Sequence, residues 1–240
     1  MSRTLLQRMT CLFRSGRGGR ISGVARRVKK QKLTYLSSGK ICNLESCLRD
    51  IEARGVPGMV IEAGVALGGS SILLCAQMKG DRRFRGYDVF GRIPPPSERD
   101  DQKSRERFAV IEAGKARGLG TEAYYGYVDD LYGRVVKNFE SFGLAVDGKR
   151  IGLCRGLFAE TLVFEPETRV ALAHIDCDWH DPVRLCLDRL YPIWSPGGFW
   201  VIDDYNDYGG CRQAVEEFLA DHPDVIRISA ESNLVLQRAG

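Results

Sequence analysis

The chain has 240 residues, of which 44% are hydrophobic and 28% charged, values that are ordinary for a globular protein with one large domain. No apolar run approaches the roughly 20 residues that a membrane-spanning helix needs. The net charge of +4 conceals an asymmetry, because eleven of the 35 basic residues lie within residues 1–40, which contain no Asp or Glu. The remaining 200 residues are therefore acidic overall, and we expect no nucleic-acid partner.

The cysteines give no sign of a disulfide framework or a zinc site. All eight are scattered along the chain, and none forms a Cys-x-x-Cys pair. Reduced, mostly buried thiols in a cytoplasmic protein are the expected arrangement. We expect no zinc site, because no set of residues has the ligand spacing that zinc sites use.

The first 40 residues predict a basic N-terminal arm ahead of a domain at residues 41–240. Within the arm, residues 4–14 have the pattern of a short amphipathic helix. Three readings stay open: a solvated tail, an arm that docks on an anionic partner or contacts a membrane peripherally, and a transit peptide.

The domain begins with a helix, a buried strand and a glycine turn. Apolar spacing predicts a helix over residues 43–54 and a strand of the parallel-sheet type over residues 59–65. The turn Gly68-Gly69-Ser70 follows and leads into a helix at residues 71–79, so that a ligand can approach the backbone there. These glycines do not have the G-x-G-x-x-G spacing of dinucleotide-binding proteins, and there is no P-loop lysine.

The rest of the chain alternates strands and helices. Predicted strands lie at residues 84–90, 150–156, 170–177, 199–203, 225–230 and 233–238, and predicted helices at 99–117, 129–142 and 210–222. An irregular loop with three consecutive prolines covers residues 92–101, and residues 195–198 predict a turn. This order predicts an α/β fold with a doubly wound, mostly parallel sheet and a terminal antiparallel strand pair.

Two predicted strands end in paired acids, Asp176 with Asp178 and Asp203 with Asp204. The carboxyl ends of parallel strands meet at one edge of a sheet, where ligands bind. Four carboxylates at one edge cannot all stay ionised unless a cation or a proton intervenes. We therefore predict a hard-metal site, suited to Mg²⁺, with a spare carboxylate that acts as a base.

Other polar residues near these strand ends have a functional and a structural reading. Asp88 ends the second strand, where an acid typically binds ribose hydroxyls, although a capping or surface role is the alternative. His180 is a second candidate base beside Asp178, or a hydrogen-bonded loop histidine. We also place Tyr205 and Asp207 in the layer where an acceptor would be selected.

Several segments follow one pattern in the same order along the chain. They are Val56–Val65, Gly68-Gly69, Asp88–Phe90, Gly156–Leu162, Asp176–Asp178, Tyr191-Pro192, Ser195–Tyr205 and Gly210–Val215. Together they resemble the macrocin O-methyltransferase (TylF-type) family of class I S-adenosylmethionine-dependent methyltransferases. The resemblance runs from about residue 41 to the C-terminus and leaves the basic arm outside.

The resemblance implies a Rossmann-like sheet, S-adenosylmethionine as methyl donor, a magnesium ion that orients the acceptor hydroxyl, and a homodimer. The implied acceptor is a sugar or glycoside of a natural product or glycan. Asp176, Asp203 and Asp204 match the metal ligands, and Asp178 matches the general base. The implied donor-binding residues are Glu62, Ala63, Gly64, Val65, Gly68, Gly69, Ser70, Asp88, Phe90, Gly156, Phe158 and Asp176.

The chain departs from the family pattern in two places. Ala66-Leu67 stands where the family often has Trp-Arg, and His180 and Pro182 stand where it often has Tyr and a small polar residue. The first change affects the mouth of the donor site, and the second affects the acceptor pocket. Two rival hypotheses remain at this stage: a metal-dependent methyltransferase of catechols or other phenols, and an inactive donor-binding scaffold.

Overall fold

The computed structural model describes residues 20–239, so the amphipathic helix predicted at residues 4–14 lies outside the described residues. Helices and strands alternate through most of this range. The α-helices are α1 (Gly23–Lys30), α2 (Ser38–Arg54), α3 (Gly69–Gln77), α4 (Gln102–Glu112), α5 (Leu131–Ser141), α6 (Phe158–Thr161), α7 (His180–Leu190) and α8 (Gly209–Asp221). Short 3-10 turns lie at Tyr125–Tyr127, Tyr191–Ile193 and Asp204–Asn206.

The strands of the described chain form one seven-stranded sheet in the order β3-β2-β1-β4-β5-β7-β6. They are β1 (Met59–Ala63), β2 (Phe84–Asp88), β3 (Ile151–Arg155), β4 (Val170–Ile175), β5 (Trp194–Ile202), β6 (Val225–Ser229) and β7 (Leu234–Arg238). The first five strands are parallel, and β7 runs antiparallel to both β5 and β6. The predicted fold class is thus confirmed. The strand order reverses between β1 and β4, the switch point where ligands bind in such sheets.

Helices cover both faces of the sheet because successive strand residues point to opposite sides. Val60 of β1 and Leu172 of β4 pack into a core with α1, α2, α3 and α5. Their neighbours Ile61 and Ala173 pack into a second core with α7 and α8. Buried on both faces, β1 and β4 are fixed in register, and this fixes the residues that follow them at the carboxyl edge.

The N-terminal part of the described chain packs on the domain. Ser22 caps α1 by accepting a hydrogen bond from the Ala25 N–H (3.0 Å). Core packing continues across residue 40, where the sequence predicts a boundary, through Ala25, Val28, Leu33 and Leu36. The basic side chains of α1 and its flank face solvent: Arg20, Arg26, Arg27, Lys29, Lys30 and Lys32. No helix among residues 20–239 is long and apolar enough to cross a bilayer.

Residues 91–128, between β2 and α5, form a separate cover beside the carboxyl edge of the sheet. Ile111, Ala116 and Tyr124 make a small hydrophobic cluster of their own. Two hydrogen bonds tie this cover to the start of α7: Trp179 Nε1–H donates to the Pro94 carbonyl (3.0 Å), and the His180 N–H donates to Asp100 Oδ1 (2.8 Å).

The start of β5 differs from the sequence prediction. The strand begins at Trp194 rather than Phe199, and it includes the segment at residues 195–198 that was expected to be a turn. The register against β4 jumps from Val170↔Trp194 to Leu172↔Phe199, so this segment bulges out of the ladder. The glycine-proline composition therefore marks an irregularity within the strand, with Gly197 at φ +77°, and not a break before it.

Gly64 provides a test of how closely the strand ends approach one another. An added Cβ there would lie 1.7 Å from the Asp176 carbonyl oxygen, and Gly64 has φ +94°. We expect Gly64→Ala to lower the free energy of unfolding by roughly 3 kcal/mol in urea denaturation. The control is Gly55→Ala, at φ +63° with nothing within 4 Å, where only backbone strain of about 1 kcal/mol applies. Equal losses in the two variants would contradict the close approach.

Candidate active site

The carboxyl ends of β1, β4 and β5 meet at the switch point. The backbone ladder continues one residue past the strands: the Asp176 N–H donates to the Ala63 carbonyl (2.8 Å) and the Asp203 N–H to the Ile175 carbonyl (2.9 Å). Gly64 lies against the backbone of Asp176. Rigid strands therefore place Asp176 and Asp203 side by side.

Asp204 completes a cluster of three carboxylates. Asp176, Asp203 and Asp204 each offer an oxygen, and the three oxygens lie within 4.8 Å of one another. Within residues 20–239, no other group of three His, Cys, Asp or Glu side chains comes together in this way. Carboxylate oxygens are the ligands that Mg²⁺ prefers. The structure thus brings together the three residues that the sequence predicted as metal ligands.

Burial makes this cluster electrostatically costly. Loss of solvent raises the pKa of Asp176 and of Asp204 well above the ordinary value, and the neighbouring carboxylates raise both further. Burial acts on Asp203 in the same direction, but His174 and Lys40 outweigh it and hold the pKa of Asp203 below its ordinary value. The cluster therefore favours a bound cation, which would relieve the repulsion between its members.

Lys40 supplies one positive charge to the cluster. Its Nζ lies 2.7 Å from Asp203 Oδ2 and 2.7 Å from Asp207 Oδ2. Burial alone would lower the pKa of Lys40, but these carboxylates raise it above its ordinary value. The sequence prediction assigned Lys40 to the basic arm and missed this role. The partners are 163 and 167 residues away in sequence, so no local pattern marks the contact.

Asp178 stands beside the cluster in a left-handed backbone conformation, φ +59°. Its N–H donates to Asp204 Oδ2 (2.9 Å). Burial, followed by the charge of Asp203, raises the pKa of Asp178 to about 7. A carboxylate with a pKa near neutrality is well matched to accept a proton from a hydroxyl. A non-glycine residue held at positive φ is costly and often has a functional reason.

His180 does not lie with the carboxylates. Its side chain is fully buried at the start of α7, where Nδ1 pairs with Asp181 (2.8 Å) and Nε2 with Glu217 (3.2 Å). Both ring nitrogens have partners, and the ring lines neither cavity described below. The geometry therefore corresponds to the structural reading of His180 and favours Asp178 as the base.

A cavity of about 280 Å³ opens on one side of the cluster. We call it the Phe158 cavity. It is bordered by Gly64, Asp88 and Asp176 at the strand ends and by Leu157 and Phe158 at the start of α6. The proline-containing loop at residues 92–101 forms another part of its border. Leu157 is 47% exposed, so the border of the cavity includes an apolar surface that a ligand can cover.

Asp88 shapes the wall of the Phe158 cavity. Its Oδ2 accepts hydrogen bonds from the N–H groups of Val65 (2.8 Å) and Ala66 (3.0 Å), and Oδ1 accepts one from Phe90 (2.6 Å). The Gly156 N–H donates to the Asp88 carbonyl (3.0 Å). Val65, Phe90 and Gly156 thus support the loop that carries Asp88.

The remaining residues predicted for the donor site lie behind the cavity. Glu62 is fully buried under α3, because β1 points it to the same face as Val60. Its carboxylate accepts a hydrogen bond from Ser71 Oγ and pairs with His174 Nδ1 (2.6 Å). Residues 33–34 cover the glycine turn, since a Cβ on Gly69 would lie 2.2 Å from the Leu33 carbonyl oxygen. Eight of the residues predicted for the donor site therefore line neither cavity: Glu62, Ala63, Val65, Gly68, Gly69, Ser70, Phe90 and Gly156.

A second cavity, of about 340 Å³, lies on the other side of the cluster. We call it the Tyr124 cavity. All four acidic residues of the edge border it, together with Asp207. Its other walls bring residues that the sequence prediction missed: Tyr35, Lys40, Lys103, Arg107, Tyr124, Tyr125 and Tyr208. Tyr205, predicted for this layer, instead hydrogen-bonds to Glu216 and Arg227.

The two cavities meet at the carboxylates. Gly64, Asp88, Tyr125, Asp176 and Asp178 belong to the walls of both. Ligands in the two cavities would therefore face each other across Asp178. This arrangement suits a transfer reaction between two bound molecules, because alignment of the reacting groups lowers the barrier.

Comparison with known proteins shows which family this chain matches. Residues 20–229 match the family described as Macrocin-O-methyltransferase (TylF). The 8-demethyl-8-(2,3-dimethoxy-alpha-L-rhamnosyl)-tetracenomycin-C 4'-O-methyltransferase of Streptomyces olivaceus is 32% identical over 189 residues, 77% of this chain and 67% of that protein. The mycinamicin III 3''-O-methyltransferase of Micromonospora griseorubida is 30% identical over 193 residues, 79% of this chain and 71% of that protein.

A solved structure agrees in fold. The O-methyltransferase NovP superposes with a TM-score of 0.68 at 24% identity, and the match covers 99% of each chain. The family match begins at residue 20, earlier than the resemblance seen from the sequence, and so includes α1.

The electrostatic cost of the cluster can be measured with Asp204→Asn. An Asn side chain can still accept the Asp178 N–H but carries no charge. In a chelator at pH 8 we expect this variant to unfold at higher urea, with a gain on the order of 1 kcal/mol. The folded pKa of Asp204 is raised, so the native carboxylate costs stability as pH rises above its unfolded value. The gain should therefore shrink as pH falls towards 4.

The control for this experiment is Asp188→Asn. Asp188 is exposed and pairs with Arg184 one turn away on α7, so its loss should change stability by less than about 0.5 kcal/mol at any pH. A destabilised Asp204→Asn at pH 8 would contradict the view that the cluster is strained by like charge.

Proposed function

We propose that this chain, which belongs to the macrocin-O-methyltransferase (TylF) family and is an S-adenosylmethionine-dependent O-methyltransferase, methylates a sugar hydroxyl with the help of a divalent ion. The observation on which the proposal depends is the cluster of Asp176, Asp203 and Asp204 beside Asp178, where the two cavities meet. The donor site, the acceptor site, the metal site and the base are each supported by particular residues.

The donor is assigned to the Phe158 cavity. The exposed Leu157 and the ring of Phe158 offer apolar contact for an adenine base. Asp88 borders the same space and offers carboxylate oxygens to ribose hydroxyls. The methyl group would then point past Gly64 towards Asp178 and the second cavity.

The acceptor is assigned to the Tyr124 cavity, which is polar and lined by aromatic rings. Tyr35, Tyr124, Tyr125 and Tyr208 provide ring faces and hydroxyl groups of the kind that pack against sugars. The name of the Streptomyces olivaceus relative points the same way, because it contains a rhamnosyl compound. We take a sugar hydroxyl as the methyl acceptor on this basis.

The carboxylate cluster has the chemistry of a magnesium site. Three oxygen ligands converge, and burial together with the neighbouring carboxylates raises the pKa of Asp176 and of Asp204, which a bound cation would offset. Asp176, Asp203 and Asp204 would hold the ion, and Lys40 would share Asp203 with it or withdraw to Asp207. When bound, a divalent ion lowers the pKa of a nearby hydroxyl and fixes its position.

Asp178 performs the proton step. The acceptor oxygen attacks the methyl carbon in line with the departing sulfur, so that a C–O bond forms as the S–C bond breaks. The hydroxyl proton passes to the Asp178 carboxylate, and the donor leaves as S-adenosylhomocysteine. With its pKa near 7, Asp178 can release this proton to water before the next turnover.

The metal part is tested by chelation and by Asp203→Asn. We expect EDTA to abolish methyl transfer to a rhamnoside and Mg²⁺ to restore it. Asp203→Asn should lose at least about 100-fold in turnover. Independently of activity, calorimetric titration of Mg²⁺ should show binding to the wild type and to the Asp188→Asn control but weak or no binding to Asp203→Asn. Full activity in EDTA would contradict the metal role.

The base is tested by comparing Asp178→Asn with His180→Asn. Asp178→Asn should bind S-adenosylmethionine and Mg²⁺ as the wild type does but turn over roughly 10²–10⁴-fold more slowly. His180→Asn should keep its turnover, because the ring of His180 lies outside both cavities. Retained turnover in Asp178→Asn would exclude it as the base. In the same assay, methylation of a catechol but no sugar would contradict the proposed acceptor class.

A further inference from the structure

Two basic residues of the Tyr124 cavity have no role in the reaction described so far. Lys103 and Arg107 lie one turn apart on α4, so both side chains project from the same face of the helix. Both line the Tyr124 cavity, on the wall formed by the cover segment. The acidic strand ends border the same cavity. The cavity therefore combines acidic residues from the strand ends with two basic residues from α4.

These two cations differ from Lys40 because neither pairs with a carboxylate among the residues that the structure describes. Lys40 is held between Asp203 and Asp207. Lys103 Nζ donates to the carbonyl oxygen of Asp207 (2.5 Å) and lies 5.0 Å from the ring centroid of Tyr208. An ammonium group has three donors, so Lys103 keeps donors for a ligand.

Arg107 has more unused capacity. Its guanidinium carbon lies 5.5 Å from the ring centroid of Tyr124, and within the described residues it has no hydrogen bond or ion pair. A guanidinium carries five N–H donors in a planar fork that matches phosphate and carboxylate oxygens. Packing against an aromatic ring restricts the side chain while leaving this fork available.

We propose that the acceptor carries an anionic oxygen group, a phosphate or a carboxylate, which Arg107 and Lys103 bind while the sugar hydroxyl faces Asp178. The inference rests on the proposed methyltransferase function and specifies its substrate class. The opposite charges of the strand ends and of α4 would orient such an acceptor, with its hydroxyl towards the acids and its anionic group towards Arg107 and Lys103. A neutral glycoside would leave the donors of Arg107 without a partner in a partly enclosed site.

A second role for Arg107, adjustment of the pKa of Asp178, would have a different experimental outcome. Its positive charge acts to lower the pKa of Asp178, against the larger effect of burial. If Arg107 served only to adjust Asp178, its removal would change kcat and the pH profile for every acceptor alike. If it binds an anionic group, its removal changes KM, and does so only for acceptors that carry that group.

The test compares three acceptors that share one sugar: methyl rhamnoside, a rhamnose phosphate and a nucleoside diphosphate-rhamnose. A methyl uronide added to the series distinguishes a carboxylate from a phosphate. Each is measured with wild type, Arg107→Gln, Lys103→Gln and the control Lys115→Gln, an exposed lysine of the same cover segment that lines neither cavity. Affinity is also measured by calorimetry with S-adenosylhomocysteine and Mg²⁺ present, so that binding is read without turnover.

For the wild type we expect the anionic acceptors to bind at least 10-fold more tightly than methyl rhamnoside. Arg107→Gln should weaken their binding by about 10- to 100-fold, Lys103→Gln by less, and both should leave methyl rhamnoside within about twofold. Lys115→Gln should match the wild type. Unfolding midpoints equal to that of the wild type would exclude a loss of structure.

Equal or tighter binding of the neutral glycoside would overturn the inference, and so would an Arg107→Gln variant that changes kcat alone. The proposed function fails separately, if no sugar of the series is methylated. In that case, binding of the phosphate-bearing compounds that is lost in Arg107→Gln would still support an anionic ligand in this cavity. If these compounds do not bind either, the inference of an anionic ligand is overturned as well.

Discussion

The structure depends on burying like charges together at one edge of a sheet. Three carboxylates lie within 4.8 Å of one another, and two of them are at most 6% exposed. Such a cluster is unfavourable without compensation, and residues 20–239 supply only part of that compensation, through Lys40 and His174 on Asp203. The remaining deficit of positive charge is the physical basis for proposing a cation at this edge. A protein selected only for stability would have little reason to keep it.

The backbone is built to maintain this arrangement. Because β1, β4 and β5 are covered on both faces, their ends cannot shift, and the ladder extends to Asp176 and Asp203. Gly64 allows the backbones to approach so closely that no side chain fits between them. The same edge borders both cavities, so the site that tolerates the electrostatic cost is also the place where a donor methyl group and an acceptor hydroxyl would meet.

Sequence reasoning recovered the parts that depend on local pattern. The order of strands and helices and the acids that end β4 and β5 follow from hydrophobic runs and from the rule that strand ends share an edge. The direction in which individual side chains point, and contacts between residues far apart in sequence, could not be predicted in this way. Glu62 was expected at the donor, but the two-residue period of β1 turns it under α3 towards His174. His180 was expected near the base, but its position on α7 points it to Glu217. Lys40, Lys103 and Arg107 come from segments far from the acids in sequence, and no motif marks them.

The central claim is that the three aspartates hold a divalent ion beside Asp178. Anomalous diffraction from crystals grown with S-adenosylhomocysteine and Mn²⁺, used in place of Mg²⁺, tests it most directly. We expect one strong peak at coordination distance, about 2.1–2.3 Å, from oxygens of Asp176, Asp203 and Asp204. Clear density for the donor product with no peak at these carboxylates, or a peak bound only elsewhere, would contradict the claim.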